Sequence, residues 1–173
     1  DAVAAIVAGS PAEILAAAGA LAEAEVAVFN ATSRDDGLRA DCRPNLFHTI
    51  PSERMLADAA AQWRKARPAD ANIAAHAWHG DFVKFSAREL NRRWRESAGR
   101  TRTDADWGVW AAYKIVGDAV ANNPEASPAE LIAYLREEME FDGVKGVEAT
   151  FRANGQLAQP LLVTVGGKLA GEA

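Results

Sequence analysis

The residues best suited to chemistry lie close together near the start of the chain. Asn30, Ser33, Asp35 and Asp36 fall within the stretch VAVFNATSRDD, Val26 to Asp36. Amide, hydroxyl and carboxylate groups on one loop offer donors and acceptors to a polar small molecule, although the same residue types also favour turns and caps. Asp35 and Asp36, taken with His48, suggest a carboxylate orienting a general base. No nucleophile elbow, Gly-rich phosphate loop or metal signature accompanies them. The expectation is therefore binding without catalytic residues, with a small hydrolase using Asp36 and His48 as an alternative. His76, His79 and Asp81 suggest a metal, but in an extended segment the two imidazoles point to opposite faces, so no metal and no cofactor is expected. Trp78 and Trp107 are the aromatic residues expected to wall a small-molecule site. Trp63, Trp94 and Trp110 are assigned to packing. Cys42 is alone, so it has no internal disulfide partner, and no fixed base lies beside it in sequence.

Something must carry that loop to a rim. Ala2 to Ala8 is a short apolar run that reads as a strand buried on both faces. Ser10, Pro11 and Glu13 form a capping box with proline at the first helical position. Val26 to Phe29 is a second apolar run. Strand, helix and strand so closely joined form a parallel pair with a right-handed crossover, and ligands collect beyond the carboxyl ends of such strands. Leu38 to Pro51 has too many turn formers for regular structure.

Further along, Ser52 opens a helix with a stripe of Met55, Leu56, Ala59, Ala60 and Trp63. Ile73 to Trp78 is a strand candidate. Ser86 and Glu89 suggest a capping box, with Phe85 and Leu90 as its staple, and Gly99 closes that helix. Thr103 caps the longest helix, whose buried face is expected to hold Val109, Ala112, Tyr113, Val116 and Val120. Trp107 and Ala111 would then lie on the polar stripe with Lys114, Asp118 and Asn122. Ser127 caps a last helix with Leu131, Leu135 and Met139 inward. Val147 to Phe151 alternates, Asn154-Gly155 is a hairpin turn, and Pro160 to Val165 is the return strand, followed by a short tail.

The 173 residues suffice for one domain or two small lobes, and 49% apolar and 25% charged content is ordinary for a globular protein. A net charge of −5 argues against nucleic-acid partners and anionic membranes, and Arg88, Arg92, Arg93 and Arg95 read as a solvated helix face. No run is long or apolar enough for membrane insertion and no signal peptide is seen.

The tail FDGVKGVEATFRANGQLAQPLLVTVGGKL resembles the closing segment of type I periplasmic solute-binding proteins, carried by Phe141, Gly143, Gly146, Phe151, Gly155 and Val163. The nearer resemblance is to a branch associated with PQQ-dependent alcohol dehydrogenases in methylotrophs. It rests on Phe29-Asn30, Asp35-Asp36, Leu38-Arg39, Cys42, Asn45, Phe47-His48-Thr49, Pro51-Ser52, Met55 and Asp58, then Trp78-His79, Asp106-Trp107 and Trp110. The resemblance implies a Rossmann-like α/β fold with a parallel sheet flanked by helices and a C-terminal antiparallel hairpin. It implies periplasmic capture of a small-molecule solute for an ABC permease. It also implies that much of both lobes is absent: 1–63 would be part of the α/β lobe, 64–72 a bridge where a second lobe would be inserted, and 73–173 the returning helices and hairpin. A shortened relative that has become a protein-interaction module, or a homodimer through the surface left by the missing lobe, is the alternative.

Overall fold

A computed structural model describes residues 2–173. Three strands, β1 (Ala4–Val7), β2 (Ala27–Asn30) and β3 (Leu46–His48), form a parallel sheet in the order β1-β2-β3. Helix α1 (Pro11–Ala20) crosses between the first two, and its Ser10–Glu13 capping box is present in both directions. Side chains alternate across the sheet. Val28 and Leu46 meet Ile14 and Ala18 of α1 on one face, while Ala27, Phe29 and Phe47 join a larger aromatic core on the other. Strand β2 is fully buried, as its apolar run requires, but β1 is an edge with Ile6 36% exposed, so it is not covered on both faces as expected. Strand β3 lies inside the stretch expected to be irregular. Three residues between Asn45 and Thr49 are too few for a period to show, and pairing with β2 supplies the order.

Helix α2 (Glu53–Ala66) follows the Ser52 cap, and Leu56, Ala59 and Trp63 are its buried positions. Its last turn takes in Arg64 to Ala66, the first part of the bridge 64–72. Strand β4 (Ile73–His76) comes next, then α3 (Ala87–Ala98), α4 (Asp104–Asn122) and α5 (Pro128–Glu137). The Thr103–Asp106 and Ser127–Glu130 capping boxes are formed, and Gly99 ends α3 in the left-handed region. The Ser86 box is not formed. Arg92 and Arg93 hold the carboxylate of Glu89 at 2.6 to 2.9 Å, and Phe85 turns to φ 50 with its side chain 63% exposed, so there is no staple.

Helix α4 corrects the sequence expectation by one position. Its buried face is Trp107, Gly108, Ala111, Ala112, Ile115 and Ala119, while Tyr113 is 74% exposed. Small residues let the helix approach the backbone after β2: a Cβ on Gly108 would lie 2.4 Å from the Ala31 carbonyl oxygen. Reading the face from Val109, Tyr113, Val116 and Val120 missed this, and Trp107 lies on the buried face instead of the polar stripe.

Antiparallel pairs close the chain. β5 (Phe141–Asp142), β6 (Glu148–Phe151) and β7 (Leu157–Ala158) form one sheet; β4, β8 (Leu162–Val165) and β9 (Lys168–Glu172) form another in the order β4-β8-β9. The hairpin return is β7, not Pro160 to Val165. Pro160 has no N–H for the ladder, and beyond it β8 leaves to pair with β4 and with the tail strand β9. His48 N donates to the Gly155 carbonyl at 2.8 Å, joining the parallel sheet to the hairpin.

Candidate functional site

Beyond β2 the chain makes a tight loop whose backbone is fixed from within. Asn30 is fully buried, and its Oδ1 accepts from Thr32 N (3.3 Å) and Ser33 N (2.9 Å). Its Nδ2 donates to the Ser33 carbonyl (2.8 Å) and to His48 Nδ1 (3.1 Å), which places the imidazole proton on Nε2. Arg39 braces the loop from below, donating to the carbonyls of Ser33, Asp35 and Ile50 and to Gln156 Oε1 at 2.6 to 3.2 Å. Burial lowers the Arg39 pKa to about 10 against the pull of Asp36 and Asp35. His48 is held down to about 3 by burial and by the positive Arg39, with only a backbone contact to Leu38 opposing, and it stays neutral. Neither Asp35 nor Asp36 orients that imidazole. Asp35 Oδ1 accepts from Leu38 N (3.2 Å) and Asp36 Oδ1 from Arg54 N (3.4 Å), and both residues are exposed. The base-and-carboxylate pair of a hydrolase is not assembled there.

Asn30 is thus the scaffold of this loop. Its side chain is consumed by the turn, while Thr32, Ser33 and Arg34 are partly exposed and Asp35 and Asp36 fully so. Arg34 links the loop to the rest of the molecule. Its Nη2 donates to Asp104 Oδ2 at 2.5 Å, and Asp104 Oδ1 accepts from Trp78 N at 2.8 Å. Asp104 is only 7% exposed, so this pair is a partly buried tie across the sheet, α4 and the segment after β4. By residue type and position Asp104 is simply a first-turn acid suited to the helix dipole. Nothing local signals its partners 26 and 70 residues away.

The two candidate tryptophans do meet, but inside the molecule. Trp78 and Trp107 stack at 6.3 Å between centroids and 12° between planes, and they are 2% and 0% exposed. Trp78 Nε1 donates to Asn91 Oδ1 at 2.9 Å. Lys145 Nζ lies 4.2 Å from the Trp107 ring centroid and donates to Gln159 Oε1 and the Pro160 carbonyl. Both rings belong to the large aromatic core. The accessible rim beside Arg34 contains His76 and His79, whose ring centroids are 5.8 Å apart. His76 Nε2 sits 3.1 Å from Thr164 Oγ1, and burial lowers its pKa, with Asp104 pulling upward and His79 and Arg34 pushing further down. Among the described residues no three His, Cys, Asp or Glu side chains converge as metal ligands. Cys42 is exposed, in a left-handed turn at φ 41.

No protein-family model matches the sequence, and no curated protein matches it either. Solved structures do. A branched-chain amino acid ABC transporter periplasmic ligand-binding protein from Burkholderia xenovorans LB400 aligns over 93% of this chain and 71% of its own, with TM-score 0.79 and 11% identity. An ABC transporter substrate-binding protein from Desulfitobacterium hafniense, in complex with Leu, aligns over 98% and 80%, with TM-score 0.74 and 12% identity. A leucine-binding protein from Thermotoga maritima aligns over 99% and 79%, with TM-score 0.66 and 14% identity. At these identities the likeness establishes the fold, an α/β arrangement of the type I periplasmic-binding-protein kind with a parallel sheet and antiparallel closing strands.

Proposed function

We propose that this chain binds a small polar solute at the open end of its parallel sheet and releases it unchanged. The observation that carries the reading is the division of labour in the 30–36 loop. Asn30 and Arg39 fix its backbone, while Thr32, Ser33, Arg34, Asp35 and Asp36 keep accessible polar groups of both charges where α/β sheets take their ligands. A loop whose backbone is already fixed binds without a large ordering cost. The fold it shares with ligand- and substrate-binding proteins supports the same reading, and on it we base three further proposals: a periplasmic location, an ABC permease as the receiving partner, and a non-enzymatic role. The sequence phrase from Phe29 to Asp58 supports a link to PQQ-dependent alcohol oxidation. We read 64–72 as the splice at which a second lobe would be inserted. Of the proposed contacts, Ser33, Asp35 and Asp36 touch the solute, Asn30 shapes the loop, and Trp78 and Trp107 stay within the aromatic core.

A thermal-shift screen against amino acids, alcohols, PQQ and lanthanide ions tests this. One compound should raise the melting temperature with a saturating dose response. A flat response across every class contradicts solute binding.

One surface favours a second reading, a protein-interaction module. Val83, Phe85 and Val147 are 49%, 63% and 52% exposed, and the Phe85 ring lies over Gly146. Self-association through it predicts a dimer by light scattering that Phe85→Ser returns to monomer; a monomeric wild type excludes it.

A further inference from the structure

Arg102 sits just ahead of α4, 6% exposed, with its guanidinium between two indoles: 4.7 Å from the Trp94 ring centroid and 5.4 Å from that of Trp110. Ring faces partly offset the desolvation of a guanidinium, but they do not satisfy its N–H groups, which lie in the plane of the charge. Arg102 Nε and Nη1 are sealed from solvent with no acceptor among the described residues, and so is the indole Nε1 of Trp94. The carboxylate that acts on Arg102 is Asp106, but Arg102 makes no hydrogen bond to it. Arg100 holds both Asp106 oxygens, at 2.5 and 2.7 Å, while Thr103 N and Oγ1 donate to Oδ2 at 2.8 and 2.7 Å. Arg100 also lies 5.3 Å from the Trp94 ring. Two guanidinium groups therefore share one carboxylate, and three buried nitrogen donors have no acceptor.

Buried polar groups are almost always partnered, so three unpartnered donors in a cluster whose single carboxylate leaves excess positive charge call for an acceptor that is also an anion. We propose that Arg102 and Trp94 bind a small oxyanion, a carboxylate or a tetrahedral phosphate or sulfate, edge-on to the guanidinium and between the two indoles. The site is separate from the 30–36 rim and does not depend on the solute reading.

The test is a titration of the whole protein with acetate, sulfate or phosphate at constant ionic strength in a chloride background, followed by tryptophan fluorescence and melting temperature. At least one anion should give a saturable fluorescence change and raise the melting temperature by several degrees at millimolar concentration. Selectivity for acetate identifies a carboxylate ligand; selectivity for phosphate or sulfate identifies a tetrahedral one. Arg102→Met, which keeps the stem and removes the donors, should abolish the saturable response. Trp94→Phe keeps the ring face but loses the N–H; it should raise the midpoint about tenfold, and it serves alone if the Arg102 variant does not fold. Responses that rise linearly with salt and are equal in wild type and variants, or no response to any of the three anions, overturn the proposal.

Discussion

Lys145 carries its ammonium into a site that is 2% exposed, with a ring face and two neutral oxygens as company. Burial outweighs the distant pull of Asp104 and Glu172 and brings its pKa down to about 7. The unfolded chain holds that proton up to the ordinary lysine value of 10.5, so between pH 7 and 10.5 the unfolded state binds more protons than the folded one. Stability should therefore climb with pH across that window and show no dependence on Lys145 titration below it, where both states hold the proton. Lys145→Met should flatten the climb and raise stability at pH 7 by at least about 1 kcal/mol, measured by urea unfolding at several pH values. His48 has the same sign lower on the scale: its suppressed protonation costs stability as pH falls from the ordinary 6.5 towards 3. Arg39 is a different case, a buried cation that satisfies three carbonyls and an amide. Arg39→Met should cost about 2–4 kcal/mol in the same assay, because it strips the Asp35 carbonyl of its donor and weakens the hold on those of Ser33 and Ile50. None of these roles could be read from residue type. Asn30 stands out in the sequence as a ligand contact, but its amide is taken up by the loop and His48, and Asp104 acts through partners 26 and 70 residues away.

Capping was the most readable feature at the level of elements. Three helices begin where their Ser or Thr caps placed them, because capping chemistry is complete within four residues. It failed at Ser86, where two arginines one turn later compete for Glu89. Thr103→Ala should cost about 1 kcal/mol in thermal unfolding, and more if Asp106 also loosens its hold on Arg100. Faces set by tertiary approach were not readable. The inward face of α4 carries Gly108, Ala111, Ala112 and Ala119 beside Trp107 and Ile115, and only the nearness of the Ala31 carbonyl reveals why the small residues are there. Gly108→Ala should therefore destabilise the protein although alanine is the better helix former, whereas Gly117→Ala, with open space around it, should stabilise it by about 0.5–1 kcal/mol. Paired melts of the two variants check the sign of each.

The whole molecule rests on one parallel sheet that delivers a loop, and on antiparallel strands that return to brace it. Gln156, from the hairpin turn, donates to the carbonyls of His48 and Ile50 at 3.2 and 3.3 Å, and Gln159 donates to that of Thr49 at 2.8 Å. The C-terminal segment thus buttresses the strand next to the proposed rim. Backbone amide NMR shifts of the isotope-labelled protein, recorded with each member of the solute panel, address the central claim without requiring a mutation. The account predicts that a binding solute moves the signals of Thr32 to Asp36 and of His76 to His79 and leaves the exposed hollow of about 500 Å3 between Asn123 and Glu138 unmoved. Saturable shifts confined to that hollow, or none for any solute, would contradict it.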